Sequence, residues 1–260
     1  MSNENEHQWY LEYQIHKNRP GLLGDISSIL GMMSILIVTI NGIDLHKRGM
    51  ILQTNDDKKI EILKEVLSNI DNITITAFRP ITFLDRIAVR HGRYIEQDLA
   101  DNKTFRFVRE ELGLLVDFLS EIFKREGHQL IGIRGMPRVG KTESIVAGSV
   151  SANKRWSFIS STLLRQTIRD QLADDELNVD NVFIIDGIVS TLRSNERHHL
   201  LVRDILRIPA TKVIEHPDIF IRETEYEYDD FDYIIELRND RNEEINYDLI
   251  NTSFSSFDIS

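Results

Sequence analysis

Eight consecutive residues, Gly135-Met136-Pro137-Arg138-Val139-Gly140-Lys141-Thr142, follow the pattern G-x-x-x-x-G-K-[ST]. Each fixed type in that pattern has a task. The glycines let backbone N–H groups turn toward a chain of phosphates. Lys141 places a cation on the β- and γ-phosphates, and Thr142 offers a hydroxyl to Mg²⁺. A helix beginning at Thr142 would aim its positive end at the same anion. The encoded chemistry is the binding of ATP or GTP with Mg²⁺, with Gly135 to Thr142 as the candidate contacts.

A second element agrees with the first. Val182-Phe183-Ile184-Ile185-Asp186 is an apolar run ending in a carboxylate. An acidic residue at a strand's carboxyl end is what the metal side of such a site requires. Thr142 and Asp186 are therefore the candidate metal ligands. No general base is identified by the sequence.

The elements that must hold these residues are legible from periodicity. Gln129 to Arg134 reads as a short buried strand leading into the glycine loop. Phe107 to Lys124 carries Leu112, Leu115, Val116, Leu119, Ile122 and Phe123 at helical spacing, and Gly127 follows as a stop. Upstream, Arg86, Arg90 and Arg93 share the spacing of one helix face, which reads as a solvated stripe or, less often, an anion patch. Residues 8 to about 80 alternate between strand-like and helix-like periods. Trp9–Ile15, Leu36–Ile43, Met50–Thr54 and Ile73–Phe78 read as strands, the second of them buried. Leu22–Met33 and Ile60–Ile70 read as helices. The order is β-α-β-β-α-β. The chain thus divides into residues 1–80, a helical connector at 81–127, and a nucleotide-binding region at 128–260.

Three resemblances follow from these residues. Asn18-Arg19-Pro20-Gly21-Leu22-Leu23-Gly24-Asp25-Ile26, with Val38-Thr39-Ile40-Asn41, resembles an ACT domain. That family implies an α+β ferredoxin-like module that binds a small metabolite or forms a homodimer. Its ligand loop would map to Asn18, Gly21, Leu22 and Leu23. Residues 129–260 resemble nucleoside-monophosphate kinases of the adenylate and cytidylate type, implying an α/β P-loop domain with a parallel sheet. In that comparison Trp156 to Arg165 matches the acceptor-nucleotide segment, and Arg165 would meet the acceptor phosphate. Tyr247 to Ser253 matches a last core strand. Arg238 and Arg241 fall where such kinases neutralise phosphate. The pairing of both modules resembles an uncharacterised Gram-positive family, YmfK-like, through Asn18–Gly31, Asn41-Gly42 and Gly135–Thr142. The kinase pattern is not complete. Its Phe-Pro-Arg after Asp-Gly reads Ile188-Val189-Ser190 here, so an acceptor arginine is replaced by Ser190. Instead of a lid there is the acidic stretch Glu223 to Asp232, whose alternation with Tyr226, Tyr228 and Phe231 suits an edge hairpin or a partner surface.

Composition bounds the rest. The chain has 260 residues, no cysteine, and a formal net charge of −11. Disulfides, thiolate metal sites and a cysteine nucleophile are excluded. The acidity is concentrated: residues 212–260 hold 4 Lys/Arg against 14 Asp/Glu. A general affinity for nucleic acid or anionic membranes is not expected. The apolar run Ile29–Ile40 is too short for the roughly 20 residues a membrane helix needs. The N-terminus lacks a signal-peptide pattern, so the expected compartment is the cytoplasm. His198-His199 reads as a solvated pair on a helix, and Ser160-Ser161 as the N-cap of a helix from 162.

Two functions fit these residues. One is a Mg-ATP-dependent phosphotransferase with a metabolite-sensing or dimerising N-terminal module. In it Lys141, Arg165, Arg238 and Arg241 would stabilise the transferring phosphoryl group. The other is a nucleotide-gated regulatory protein that turns ATP or GTP over little and acts through a partner.

Overall fold

The computed structural model describes residues 8–162, 164 and 167–245. The chain forms two compact units that meet in sequence between Ile95 and Glu96.

The first unit runs β1 (Gln8–Ile15), α1 (Leu22–Met32), β2 (Leu36–Gly42), β3 (Lys47–Gln53), α2 (Asp57–Ser68), β4 (Ile73–Pro80) and α3 (Phe83–His91). The strands form an antiparallel sheet in the order β2-β3-β1-β4. Alternation sorts their side chains. Leu11, Tyr13, Met50 and Leu52 pack with Ile26, Leu30, Leu63 and Leu67 of α1 and α2. Tyr10 and Ile51 point the other way, toward Ala88 and Val89 of α3. That helix opens with a capping box between Thr82 and Asp85 and ends at Gly92 in the left-handed region. Residues 81–95 therefore complete the first unit, and the separate connector expected at 81–127 does not form. β2 also differs from expectation. It pairs only with β3, so it is an edge, and Leu36 and Val38 are exposed.

The second unit holds β5 (Glu96–Gln97), β6 (Thr104–Val108), α4 (Leu112–Phe123), β7 (Gln129–Arg134), α5 (Lys141–Ser151), β8 (Arg155–Phe158), β9 (Ser160–Ser161) and β10 (Thr167–Ile168). It continues with β11 (Asn181–Asp186), α6 (Gly187–Leu192), α7 (Glu196–Arg207), β12 (Thr211–Glu215), α8 (Pro217–Glu223) and β13 (Tyr233–Arg238). Seven strands pair in the order β5-β6-β13-β7-β12-β11-β8. All neighbours are parallel except β5 with β6. β9 and β10 pair separately. The helix expected from Phe107 begins only at Leu112. Phe105 and Phe107 instead alternate along β6, and both rings pack on Phe118 of α4.

The connections through α4 and α5 step along the sheet in one direction, and those through α6–α7 and α8 step back. Right-handed crossovers put such sets on opposite faces. The packing agrees. Gly148 of α5 has no Cβ to meet Leu119 of α4, where one would lie 2.8 Å from Leu119 Cβ. Leu130, Phe183, Ile185 and Ile214 of the sheet pack with Val202, Ile205 and Phe220 of α7 and α8. The direction reverses between β7 and β12, and a crevice opens at such a point beyond the carboxyl ends of the strands. Among the described residues, no helix is long and apolar enough to cross a membrane.

Candidate functional site

The glycine loop leaves β7 at that reversal. β7 is buried along nearly its whole length, as its continuous apolar run requires. Gly135 follows with φ +155° and Gly140 closes the loop with φ +112°. A Cβ at Gly135 would lie 2.5 Å from the Leu237 carbonyl oxygen, so only glycine lets the loop pass the end of β13. Arg138 also takes a left-handed conformation, φ 65°, which is uncommon outside glycine. Its carbonyl accepts from Arg109 Nη1 at 3.1 Å.

Gly140 is the N-cap of α5 and no side chain caps that end. The N–H groups of the first turn are left facing the loop. Lys141 is buried; its ammonium donates to the carbonyls of Gly135 (2.8 Å) and Met136 (3.1 Å). Burial lowers its pKa, with Glu215 and Asp186 opposing. Glycine cradle, buried ammonium and free helix end make a donor set suited to a phosphate chain.

Thr142 is buried beside Lys141 and donates to Glu215 Oε1 at 2.6 Å. Glu215 closes β12, the strand paired with β7. Burial pushes its carboxyl up to about 7, against the pull of Lys141. His216 follows with φ 58°, also buried, and burial together with the Lys141 cation lowers its pKa. Gly187 permits this arrangement, because a Cβ there would lie 2.8 Å from both the Glu215 and His216 carbonyl oxygens.

Asp186 closes β11, one strand further out. Its Oδ1 accepts from the N–H groups of Ile188 and Val189, capping α6. Its Oδ2 accepts from the backbone and hydroxyl of Thr162. The carboxylate at Thr142 is thus Glu215, whereas Asp186 holds α6 and the 160–162 segment in place. Nothing in the residues near Glu215 signals this. Val213-Ile214-Glu215 reads as a strand end, but that it pairs with β7 is decided by the whole sheet.

Arginines cluster around the end of β13. Arg238, at the end of β13, bonds Glu236 at 2.7 Å. Glu236 also accepts from Arg106 (3.0 Å) and Arg134 (3.2 Å). Arg241 is exposed and reaches Glu111 at 3.8 Å, at the start of α4. These arginines are engaged with Glu236 and Glu111, and from β13 it is the carbonyl and side chain of Leu237 that border the glycine loop. Arg165 and Tyr247–Ser253 lie outside the described residues.

Residues 75–258 match the family described as "Protein of unknown function (DUF3388)". The chain belongs to that family. It is also 63% identical over 258 residues to "Uncharacterized protein YmfK" of Bacillus subtilis (strain 168), with 96% of each chain covered. The family match includes the whole glycine loop, Asp186, Glu215, Arg238 and Arg241.

Other expected features take different places. His198 is fully buried and His199 exposed, so they are not a solvated pair. The two rings point about 100° apart on α7, and the helix buries one face. Among the described residues Thr162 and Leu164 are not helical, and Ser161 accepts from Leu164 N–H. The acidic stretch is no hairpin. It links α8 to β13, with Phe231 buried, Asp232 accepting from Leu130 N–H and Asp230 from Glu227 N–H. In the first unit, Gly21 caps α1 with φ +84°. Leu22 is buried, Leu23 is exposed, and Arg19 pairs with Asp25 across the turn. Asn18 is exposed at the same turn.

Proposed function

We propose that the second unit is a P-loop domain that binds Mg-ATP, or GTP, and acts as a phosphotransferase. The observation that carries this reading is the loop itself. Gly135 and Gly140 hold left-handed turns that open onto the uncapped N-terminus of α5, with Lys141 and Thr142 buried at its base. The first-turn N–H groups would cradle the phosphates. The ammonium of Lys141 would leave the Gly135 and Met136 carbonyls for the phosphate oxygens. Thr142 and Glu215 fit a Mg²⁺ ion, both being oxygen donors at one point, and the ion would neutralise phosphate charge. Asp186 would keep α6 and Thr162 in register. Arg238, with Arg138 and Arg241, would supply positive charge to the transferring group. The β-α-β-β-α-β order of the first unit supports an ACT-like, ferredoxin-like module that senses a metabolite or dimerises.

The test is phosphate release and transfer from γ-labelled ATP and GTP to a panel of nucleotides, amino acids and small alcohols, with Lys141→Ala as control. Lys141-dependent transfer to one acceptor establishes the reading. Nucleotide binding without turnover replaces it with the second reading, a nucleotide-gated regulator. Two observations favour that alternative: Ser190 stands where an acceptor arginine would be, and Lys141 is engaged by its own loop. No nucleotide binding at all sinks both.

A further inference from the structure

Away from the glycine loop, a cavity of about 370 Å³ opens between α6, α7 and the segment after α8. That is near the lower end of the range for small-molecule sites, roughly 300–1,000 Å³. Leu200, Leu206 and Phe220 give it an apolar wall, and Ser190, Thr191 and Thr224 line it with hydroxyls.

The protons of those hydroxyls can be traced. His198 Nδ1 lies 2.6 Å from the carbonyl oxygen of Arg169, so that nitrogen carries a hydrogen. Burial favours the neutral ring, and Nε2 is then an acceptor. Ser190 Oγ, 2.9 Å away, must donate to it. Ser160 Oγ accepts from the Asp186 N–H and can donate to the Asp186 carbonyl at 3.2 Å or to Ser190 Oγ at 2.7 Å, and either way Ser190 still donates to His198. Thr191 donates to the Gly187 carbonyl and Thr224 to the Phe220 carbonyl, each at 2.7 Å. All three lining hydroxyls have spent their protons inside the protein, and they offer the cavity only lone pairs.

The rim is mixed, with carboxylates in excess. Glu196, Glu223 and Glu225 line it against Arg203 and His199. Of the three carboxylates, Glu223 is paired with Arg222. The Tyr226 ring packs 5.6 Å from Phe220 and adds an aromatic surface, which favours a cation. Acceptor hydroxyls, excess carboxylates and aromatic faces all call for a positively charged donor on an apolar body.

We propose that this cavity binds a small organic ammonium compound, its nitrogen toward Ser190, Thr191, Thr224 and the glutamates, its hydrocarbon part against Leu200, Leu206 and Phe220. The site is separate from the glycine loop and does not rest on the nucleotide reading. The test is calorimetry on the full chain with phenethylamine, isopentylamine and cadaverine, and with hydrocinnamate as the acid counterpart of the first. At least one amine binds at millimolar concentration or better, and tenfold or more tightly than hydrocinnamate. The surface variant Glu196→Lys/Glu225→Lys weakens that amine at least tenfold, while Lys141→Ala leaves it unchanged. The proposal is overturned if no amine binds, if hydrocinnamate binds equally well, if the charge reversal has no effect, or if Lys141→Ala abolishes binding.

Discussion

Thr142 and Glu215 are far apart in sequence, yet the hydroxyl of one donates to the carboxylate of the other at 2.6 Å in the interior. This bond ties the first turn of α5 to the end of β12, across the point where the sheet reverses direction. Removing the donor should leave a buried carboxyl without its partner, at a cost of about 1–3 kcal/mol. Thr142→Ala is therefore expected to lower the urea midpoint clearly, and Thr142→Ser much less. A double-mutant cycle with Glu215→Gln should return a coupling of roughly 0.5 kcal/mol or more. A coupling indistinguishable from zero would show that the two side chains do not share this bond in solution.

Glycines in the second unit separate into those with room for a Cβ and those without. Gly135 has φ +155° and a backbone oxygen 2.5 Å from the Cβ position, so Gly135→Ala cannot keep the loop. It is expected to destabilise by about 2 kcal/mol or more and to remove nucleotide binding. Gly113, on α4, has nothing within 4 Å of its Cβ position. Gly113→Ala should stabilise, by up to about 1 kcal/mol from helix propensity. Gly148→Ala gains the same propensity but drives a Cβ to 2.8 Å from Leu119 Cβ, and a net loss is expected. Thermal melts of the three variants should rank Gly113→Ala above the parent and the other two below it.

Glu236 is the hub of the arginine cluster at the end of β13, accepting from Arg106, Arg134 and Arg238. Burial raises its pKa, but hydrogen bonds from Arg106 and Arg238 outweigh that and hold it below the ordinary carboxylate value. Its folded pKa is depressed, so this stabilisation is present above the ordinary value of 4.5 and is lost as pH falls below it. Glu236→Gln would leave three partly buried guanidinium groups around a neutral amide. The expected loss is at least about 2 kcal/mol at neutral pH, and it should shrink at low pH. An equal loss at pH 7 and pH 3.5, or none at pH 7, would refute the hub role.

Local signals carried the elements, but long-range pairing decided the site. The stripe from Leu112 to Phe123 and the runs at 129–134 and 182–186 announce their helix and strands, because period and burial are written in neighbouring residues. The glycine loop is legible for the same reason, since its pattern is contiguous. β6 is hidden because Phe107 runs into the helical stripe that follows it, and the alternation of Phe105 with Phe107 is too short to announce a strand until β13 lies beside it. Glu215 was hidden more deeply. Asp186 and Glu215 both end apolar strands, and only the order β7-β12-β11 makes Glu215 the one beside Thr142. The burial of His198 is not legible locally, because its ring is held by Ser190 and the Arg169 carbonyl, neither of them on α7.

Lys212 offers a test far from the glycine loop, at the amino end of β12. It is fully buried, with its nitrogen donating to the Ile208 carbonyl at 2.7 Å and lying 3.0 Å from His128 Nδ1. Burial pushes its pKa down from 10.5 to about 8. Between those values the unfolded chain keeps a proton that the folded chain has released. Stability therefore rises with pH across that window, by up to about 3 kcal/mol on 1.36 kcal/mol per unit. Lys212→Met removes the buried ammonium and should flatten that part of the profile. At pH 7 it should be at least as stable as the parent, because replacing a buried charge by a well-packed apolar chain is commonly neutral or favourable. His128 supplies a second readout. Burial and the Lys212 cation both lower its pKa, so without Lys212 it should titrate closer to 6.5. Urea titrations at several pH values and the His128 ring signals by NMR measure the two effects. An unchanged slope between pH 8 and 10, together with an unmoved His128, would mean that Lys212 is charged and solvated in the folded protein.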